Sequence, residues 1–532
     1  MPSPRRMKGL RSGRTASLTA LGLSCAAALA VAGCTASGGG GPGSSGPQGS
    51  SSVSAAAGQA QALRWHSCSG QALHMQCASL PVPLDYTHPD GRKITLALSK
   101  VAATAPAGQQ QGDMLVNPGG PGGSGLGLAA SVAQGLDPAV AADYNIIGFD
   151  PRGVGSSVPA LHCAPSFFAG VRPDYIPANA AAEQVLIGRA KAYAADCGKA
   201  YGWLLPHMTS ADAARDMDSI RAALGVPKIT YFGYSYGTYL GQVYATLFPH
   251  RLQRMVLDST VDPGGVWYAD NIAQDYAFQG RMLAFFSWVA AHNSLYRLGS
   301  TRAQVDQAWY QARSDLKAHP VAGPNGPMIG PDEFDDTFLQ GGYTNALWPG
   351  QAAALSAYLH GGSTSQLVSQ YNQAGTQNEN GFAVYNAVQC SDVNWPRSWA
   401  KWDSDTRRVY RSAPFEAWDN AWFNAACAFW PVTGPAAPLL IKGAGLPGIL
   451  MIQGTLDAAT PYLGAQDAHL RLPTARMVVV EGGGIHGQSL QQPPNTCVDG
   501  YLNRYLATGA LPNGAGLVNA ACPALPDPPP GG

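Results

Sequence analysis

Ile229-Thr230-Tyr231-Phe232-Gly233-Tyr234-Ser235-Tyr236-Gly237 is the stretch on which the reading of this chain turns. Its first four residues are β-branched or aromatic, as in a buried strand, and Thr238 to Phe248 suits a helix. Between the two lies Gly-x-Ser-x-Gly. A strand-to-helix turn that tight accepts only glycine-sized neighbours and lifts a serine hydroxyl clear of the sheet. In a chain with 64 glycines the pentapeptide alone could arise by chance. The flanking strand and helix give it meaning, and Ser235 is the candidate nucleophile.

A serine needs a base, an acid to orient that base and donors for the developing oxyanion. Asp457 follows the apolar run Gly448 to Ile452, and His486 follows Met477 to Val480. Both sit on loops at the expected carboxyl ends of buried strands, where open α/β sheets place their chemistry. The order Ser, Asp, His is that of the α/β-hydrolase triad. Most of the eleven histidines read as polar surface, but His486 alone lies beyond a final strand with glycines on both sides. Asp258 and Asp262, after the strand Arg254 to Leu257, are rival acids. Asn117-Pro118-Gly119-Gly120-Pro121-Gly122-Gly123-Ser124-Gly125 follows the strand Met114 to Val116 and supplies an oxyanion loop. The amides of Gly120 and Tyr236 are the expected donors. No Gly-Lys-Ser/Thr follows the loop, so it is not a Walker phosphate loop.

These motifs predict an α/β-hydrolase fold, a mostly parallel eight-stranded sheet with a large, mainly helical cap insertion. The 532 residues exceed one such core. The expected organisation is a core over 63–262, a cap over 263–440 and the returning core over 441–532. Phe278, Met282, Phe285 and Phe286 fall at helical spacings that signal packing within the cap. Trp348, Tyr385, Trp395, Trp418, Trp422 and Trp430 are candidate cleft walls, with core packing the commoner role for each.

Several further segments carry a family resemblance. Pro118 to Gly122 resembles the His-Gly-Gly-Pro-Gly loop of proline iminopeptidases, with Pro118 in place of the histidine. Asp150-Pro151-Arg152-Gly153-Val154-Gly155-Ser156-Ser157 resembles their Asp-x-Arg-Gly-x-Gly-x-Ser segment. The full Asn117–Gly125 loop, with Asp457-Ala458-Ala459-Thr460-Pro461, is closer to the actinobacterial tripeptidyl aminopeptidase branch. That branch also has the Val82–Tyr86 opening and the Cys390-Ser391-Asp392 motif in its cap. The similarity runs from about Cys68 to Cys522. It implies a serine exopeptidase that removes tripeptides or fewer residues from free N-termini, with Ser235 as nucleophile, His486 as base and Asp457 as its orienter. Such an enzyme needs a carboxylate for the substrate amine, and Asp392, Asp335 and Asp336 are the candidates. Asp150 and Arg152 are expected to pair with each other structurally. A carboxylesterase or lipase on the same fold is the alternative, because a triad and oxyanion hole serve any acyl transfer.

The first 33 residues read as a lipoprotein signal peptide. Arg5, Arg6, Lys8, Arg11 and Arg14 precede the apolar stretch Leu18 to Val31, and Val31-Ala32-Gly33-Cys34 resembles a lipobox. Cys34 is the expected lipidation site, which anchors the enzyme to the outer face of the cell membrane. Residues 35–62, nearly all Gly, Ser, Ala, Pro and Gln, form a flexible tether. Setting aside Cys25 and Cys34 leaves an even set of cysteines, expected as disulfides in an exported protein. Pairing sequence neighbours gives Cys68–Cys77, Cys163–Cys197, Cys390–Cys427 and Cys497–Cys522. No Cys-x-x-Cys spacing suggests zinc or redox chemistry, and neither metal nor cofactor is expected. Lys plus Arg and Asp plus Glu both number 33, so no nucleic-acid partner is implied. A monomer acting on peptides is expected.

Overall fold

A computed structural model describes residues 62–68, 75–322, 328–374 and 378–531. Cys34, the leader and most of the tether lie outside the described residues. Twelve strands occur among them: β1 (His66–Ser67), β2 (Gln76–Pro83), β3 (Lys93–Val101), β4 (Gly112–Asn117), β5 (Tyr144–Asp150), β6 (Ile229–Tyr234), β7 (Leu252–Asp258), β8 (Val321–Ala322), β9 (Met328–Ile329), β10 (Ile449–Gly454), β11 (Ala475–Glu481) and β12 (Ala520–Pro523). Ten of them form one sheet in the order β1-β2-β3-β5-β4-β6-β7-β10-β11-β12, while β8 and β9 make a small hairpin. Every pairing from β5 through β4 to β12 is parallel, and β1, β2 and β3 run antiparallel.

The expected eight strands are corrected to ten, because a short strand is added at each edge. β1 is too short to carry a hydrophobic pattern, yet the Cys68–Cys77 disulfide holds it beside β2. Likewise, Cys497–Cys522 ties β12 to the helix Thr496–Thr508. Disulfides also join Cys163 to Cys197 and Cys390 to Cys427.

The central strands are apolar on both faces, as a sheet covered on both sides requires. In β10, Ile449 and Met451 pack into one helical layer, while Leu450 and Ile452 pack into the other with Val498, Leu502 and Leu506. Period-two alternation thus sends successive residues into two different cores. Helical cap segments occupy the chain between β7 and β10. They build a separate core in which Phe278, Met282, Phe285 and Phe286 meet Trp309, Phe338 and Trp348. Trp418 and Trp422 pack instead on Leu186 and Ile187 of the helix Ala180–Tyr201, which buttresses the cap from the core segment. Of the six aromatic residues expected as cleft walls, Tyr385 alone lines the main cavity.

Candidate active site

Ser235 stands at the end of β6, where the chain turns into the helix Tyr236–Leu247. Its backbone has φ 56° and ψ −130°, a conformation L-residues avoid and tight functional turns impose. A Cβ on Gly233 would lie 2.5 Å from Gly237 O, so the first glycine of the motif is required by the close approach of the two turn ends. Ser235 N donates to Asp258 O at 3.1 Å, and Thr238 Oγ1 donates to Ser235 O at 2.6 Å. The serine is therefore held by its main chain.

His486 and Asp457 come together across the loops after β11 and β10. His486 Nδ1 lies 3.0 Å from each carboxylate oxygen of Asp457. The carboxylate also accepts from Ala459 N, Thr460 N and Thr460 Oγ1, which fixes its plane. Burial by itself would lower the His486 pKa, but the Asp457 charge and hydrogen bond, with help from Asp258, raise it above the ordinary 6.5. Asp258 does not reach the histidine as its partner. It accepts from Gln488 N, Ser489 N and Ser489 Oγ, securing the loop beyond His486, and burial pushes it up to about 6. The cap reaches the histidine directly: His486 N donates to Tyr343 O at 2.7 Å, and the two rings meet edge-on.

The glycine loop closes the other side. Gly119 N donates to Asn117 Oδ1 at 2.9 Å, and a Cβ on Gly119 would meet Ser235 Cβ at 2.8 Å. Gly120 follows on the cavity wall. Tyr236 opens its helix, so its amide is one of the donors that a helix start leaves without an intrahelical acceptor. Ser235, His486, Gly120 and Tyr236 all line one cavity of about 1260 Å³ between sheet and cap.

The three carboxylates expected to bind a substrate amine are elsewhere, and that expectation is corrected. Asp335 pairs with Arg313, and Asp336 with Arg172, in a buried network on the cap helices Arg302–Ala318 and Pro331–Tyr343. Asp392 accepts from Ser210 N and Oγ and from Trp267 Nε1, with Ser210 Oγ also 2.8 Å from Tyr236 Oη. None of the three lines the cavity. The expected Asp150–Arg152 pair is also corrected. Asp150 accepts from Ser124 Oγ and Ser156 N, while Arg152 donates twice to Asp216. Adjacency in a turn gave way to a partner with two oxygens in the plane of the guanidinium.

Cavity carboxylates unforeseen in the sequence include Asp270 and Asp527, together with Glu416 and Asp419, three residues apart at the start of the helix Ala417–Asn424. Glu416 and Asp419 are 6% and 8% exposed; among the described residues neither forms an ion pair, and Glu416 Oε2 has no hydrogen-bond partner. Burial first, then the Asp275 and Asp419 charges, drives Glu416 well above the ordinary carboxylate range. Burial first, then Asp336 and Asp335, does the same to Asp419. Their helical spacing among Trp418, Trp422 and Phe423 was the available sequence signal.

A serine elbow, an Asp-supported histidine and a glycine loop in this topology define a serine-hydrolase class of site. The chain belongs to the alpha/beta hydrolase fold family, whose pattern matches residues 114–487. It is 40% identical over 472 residues to the tripeptidyl aminopeptidase of Streptomyces lividans, covering 86% of each chain. It is 31% identical to serine protease Hip1 of Mycobacterium tuberculosis, over 82% of this chain and 86% of that one. Carboxylesterase B of M. tuberculosis is 32% identical, over 84% and 88% of the two chains.

Proposed function

We propose that this protein is a serine aminopeptidase that releases short peptides, of three residues or fewer, from free N-termini. Ser235 Oγ attacks the scissile carbonyl carbon, and His486 Nε2 takes its proton. With Nδ1–H directed to Asp457, Nε2 is the nitrogen left to accept. The Gly120 and Tyr236 amides receive the oxyanion. The histidinium then gives its proton to the departing amine, and water repeats the sequence on the acyl-enzyme.

The observation that carries the exopeptidase reading is the Glu416–Asp419 pair. Two buried carboxylates without a cation are costly to keep, and a protonated substrate amine is the cation that suits them. Binding the ammonium displaces the protons that burial holds on the acids. Similarity to the tripeptidyl aminopeptidase supports the step size.

Similarity to carboxylesterase B favours a second reading, an esterase on the same triad. Peptides carrying one to three residues and a fluorogenic amide, each with a free or an acetylated N-terminus, separate the two when run beside p-nitrophenyl butyrate. Cleavage confined to free amines at one preferred length is expected. Turnover of the ester with indifference to acetylation would make the protein an esterase.

Export and attachment through a lipidated Cys34 complete the proposal, which places the enzyme outside the cytoplasm. The four disulfides suit an oxidising compartment. Labelling with a fatty-acid analogue should mark the protein, and Cys34→Ser should abolish the label.

A further inference from the structure

Beyond β12 the chain returns over the molecule as a strap, residues 524–531. The Cys497–Cys522 disulfide secures the point from which it departs. Ala524 N donates to Glu481 O at the end of β11. The remaining bonds are to the cap: Asn345 Nδ2 donates to Asp527 Oδ1 at 2.9 Å, Trp288 Nε1 to Pro528 O at 3.1 Å, and Gly531 N to Tyr296 Oη at 3.2 Å. The strap therefore begins on the sheet and ends on the cap, and between these points Leu525 to Pro529 line the active-site cavity.

Its neighbours place it on the histidine side. Asn345 lies two residues beyond Tyr343, whose carbonyl holds His486 N. Arg281 packs against Gly484 of the histidine loop, where an added Cβ would collide with its guanidinium. That guanidinium is 6% exposed, Nε and Nη2 have no hydrogen-bond partner, and the opposite charges acting on it are Asp527 and Asp457. The strap thus brings a carboxylate toward a buried cation beside the triad.

In acyl transfer the histidine protonates the departing group, so the leaving chain lies on its side of the cavity. We infer that the strap Leu525–Pro529 is the wall of the leaving-chain subsites and selects the residue that follows the scissile bond. Pro526, Pro528 and Pro529 have no N–H, so the strap cannot extend a peptide by strand pairing. It presents ring faces, carbonyl oxygens and the Leu525 side chain. Such a wall recognises an apolar leaving residue by contact. Only the peptide nature of the leaving chain rests on the aminopeptidase reading.

The test compares the intact protein with a variant lacking residues 525–532. Both receive one acyl peptide joined either to p-nitroaniline or to a longer peptide beginning with Leu or Phe. The ratio of kcat/KM, extended over anilide, is expected to fall about tenfold on deletion. An unchanged ratio overturns the inference, whether both activities fall together or neither moves. Leu525→Ser, which keeps the main-chain bonds, gives the same reading if the deletion does not fold; it should lower the ratio for a Leu leaving residue and spare it for Gly. Should the intact protein prove to be an esterase, a short and a long alcohol esterified to one acid replace the two substrates. The ratio is then read identically, so failure of the aminopeptidase reading leaves the strap testable.

Discussion

In the core, the buried Arg152 guanidinium donates twice to Asp216 and again to the carbonyls of Leu84 and His207. In the cap, Glu416 and Asp419 are buried to a similar degree and have no such partner. The first arrangement closes on itself; the second stays open toward the cavity. A satisfied buried charge holds loops in place, whereas a buried acid without a cation keeps its proton and stays able to exchange it for one. On the function proposed above, the core positions the reaction and the cap selects the molecule that undergoes it.

The largest effect expected belongs to the core chemistry. Ser235→Ala should reduce kcat by about 10⁴-fold or more, measured on a free-amine anilide, with the thermal midpoint nearly unchanged. Retention of most activity would remove Ser235 from the mechanism. Arg152→Met strands the Asp216 carboxylate and should lower stability by about 3–5 kcal/mol in denaturant unfolding. Glu416→Gln should act in the opposite sense. It relieves a buried, repelled acid, so the thermal midpoint should hold or rise, while KM for free-amine substrates increases about 10- to 100-fold and the rate at which an amine-free fluorophosphonate labels Ser235 does not change. An equal loss in labelling and in peptide cleavage would break the contrast between core and cap.

The smallest effect is in pH. Because the His486 pKa is raised, kcat/KM should fall as acidity increases through a midpoint above 6.5, where the base becomes protonated. The stability contribution runs the other way. The protonated His486–Asp457 pair stabilises the fold fully below the unfolded histidine value and loses that contribution as pH rises through the folded one. Activity should thus increase over the window in which this contribution fades. Asp457→Asn, read by the same pH–rate profile, should move the midpoint downward.

Legibility in the sequence followed the reach of each interaction. The elbow, the glycine loop and the loops bearing Asp457 and His486 are written locally, because sharp turns demand glycines at fixed offsets and buried strands demand apolar runs. β1 and β12 left no pattern, being too short, and are held by disulfides rather than by their own faces. The amine-site acids were misread for a different reason. Asp335 and Asp336 are as acidic in sequence as Glu416 and Asp419, but Arg313 and Arg172 arrive from distant segments to pair with them. Which carboxylate stays open is decided by how cap helices pack, a property of no single window. Arg152 shows the same limit: its partner Asp216 is 64 residues away, farther than any turn motif extends.

One backbone hydrogen bond, from His486 N to Tyr343 O, gives the cap a second function. The acceptor sits at the end of the helix Pro331–Tyr343, so the seating of a cap helix helps set the position of the catalytic base. The catalytic base thus takes a main-chain partner from the cap and its side-chain partner, Asp457, from a loop of the sheet.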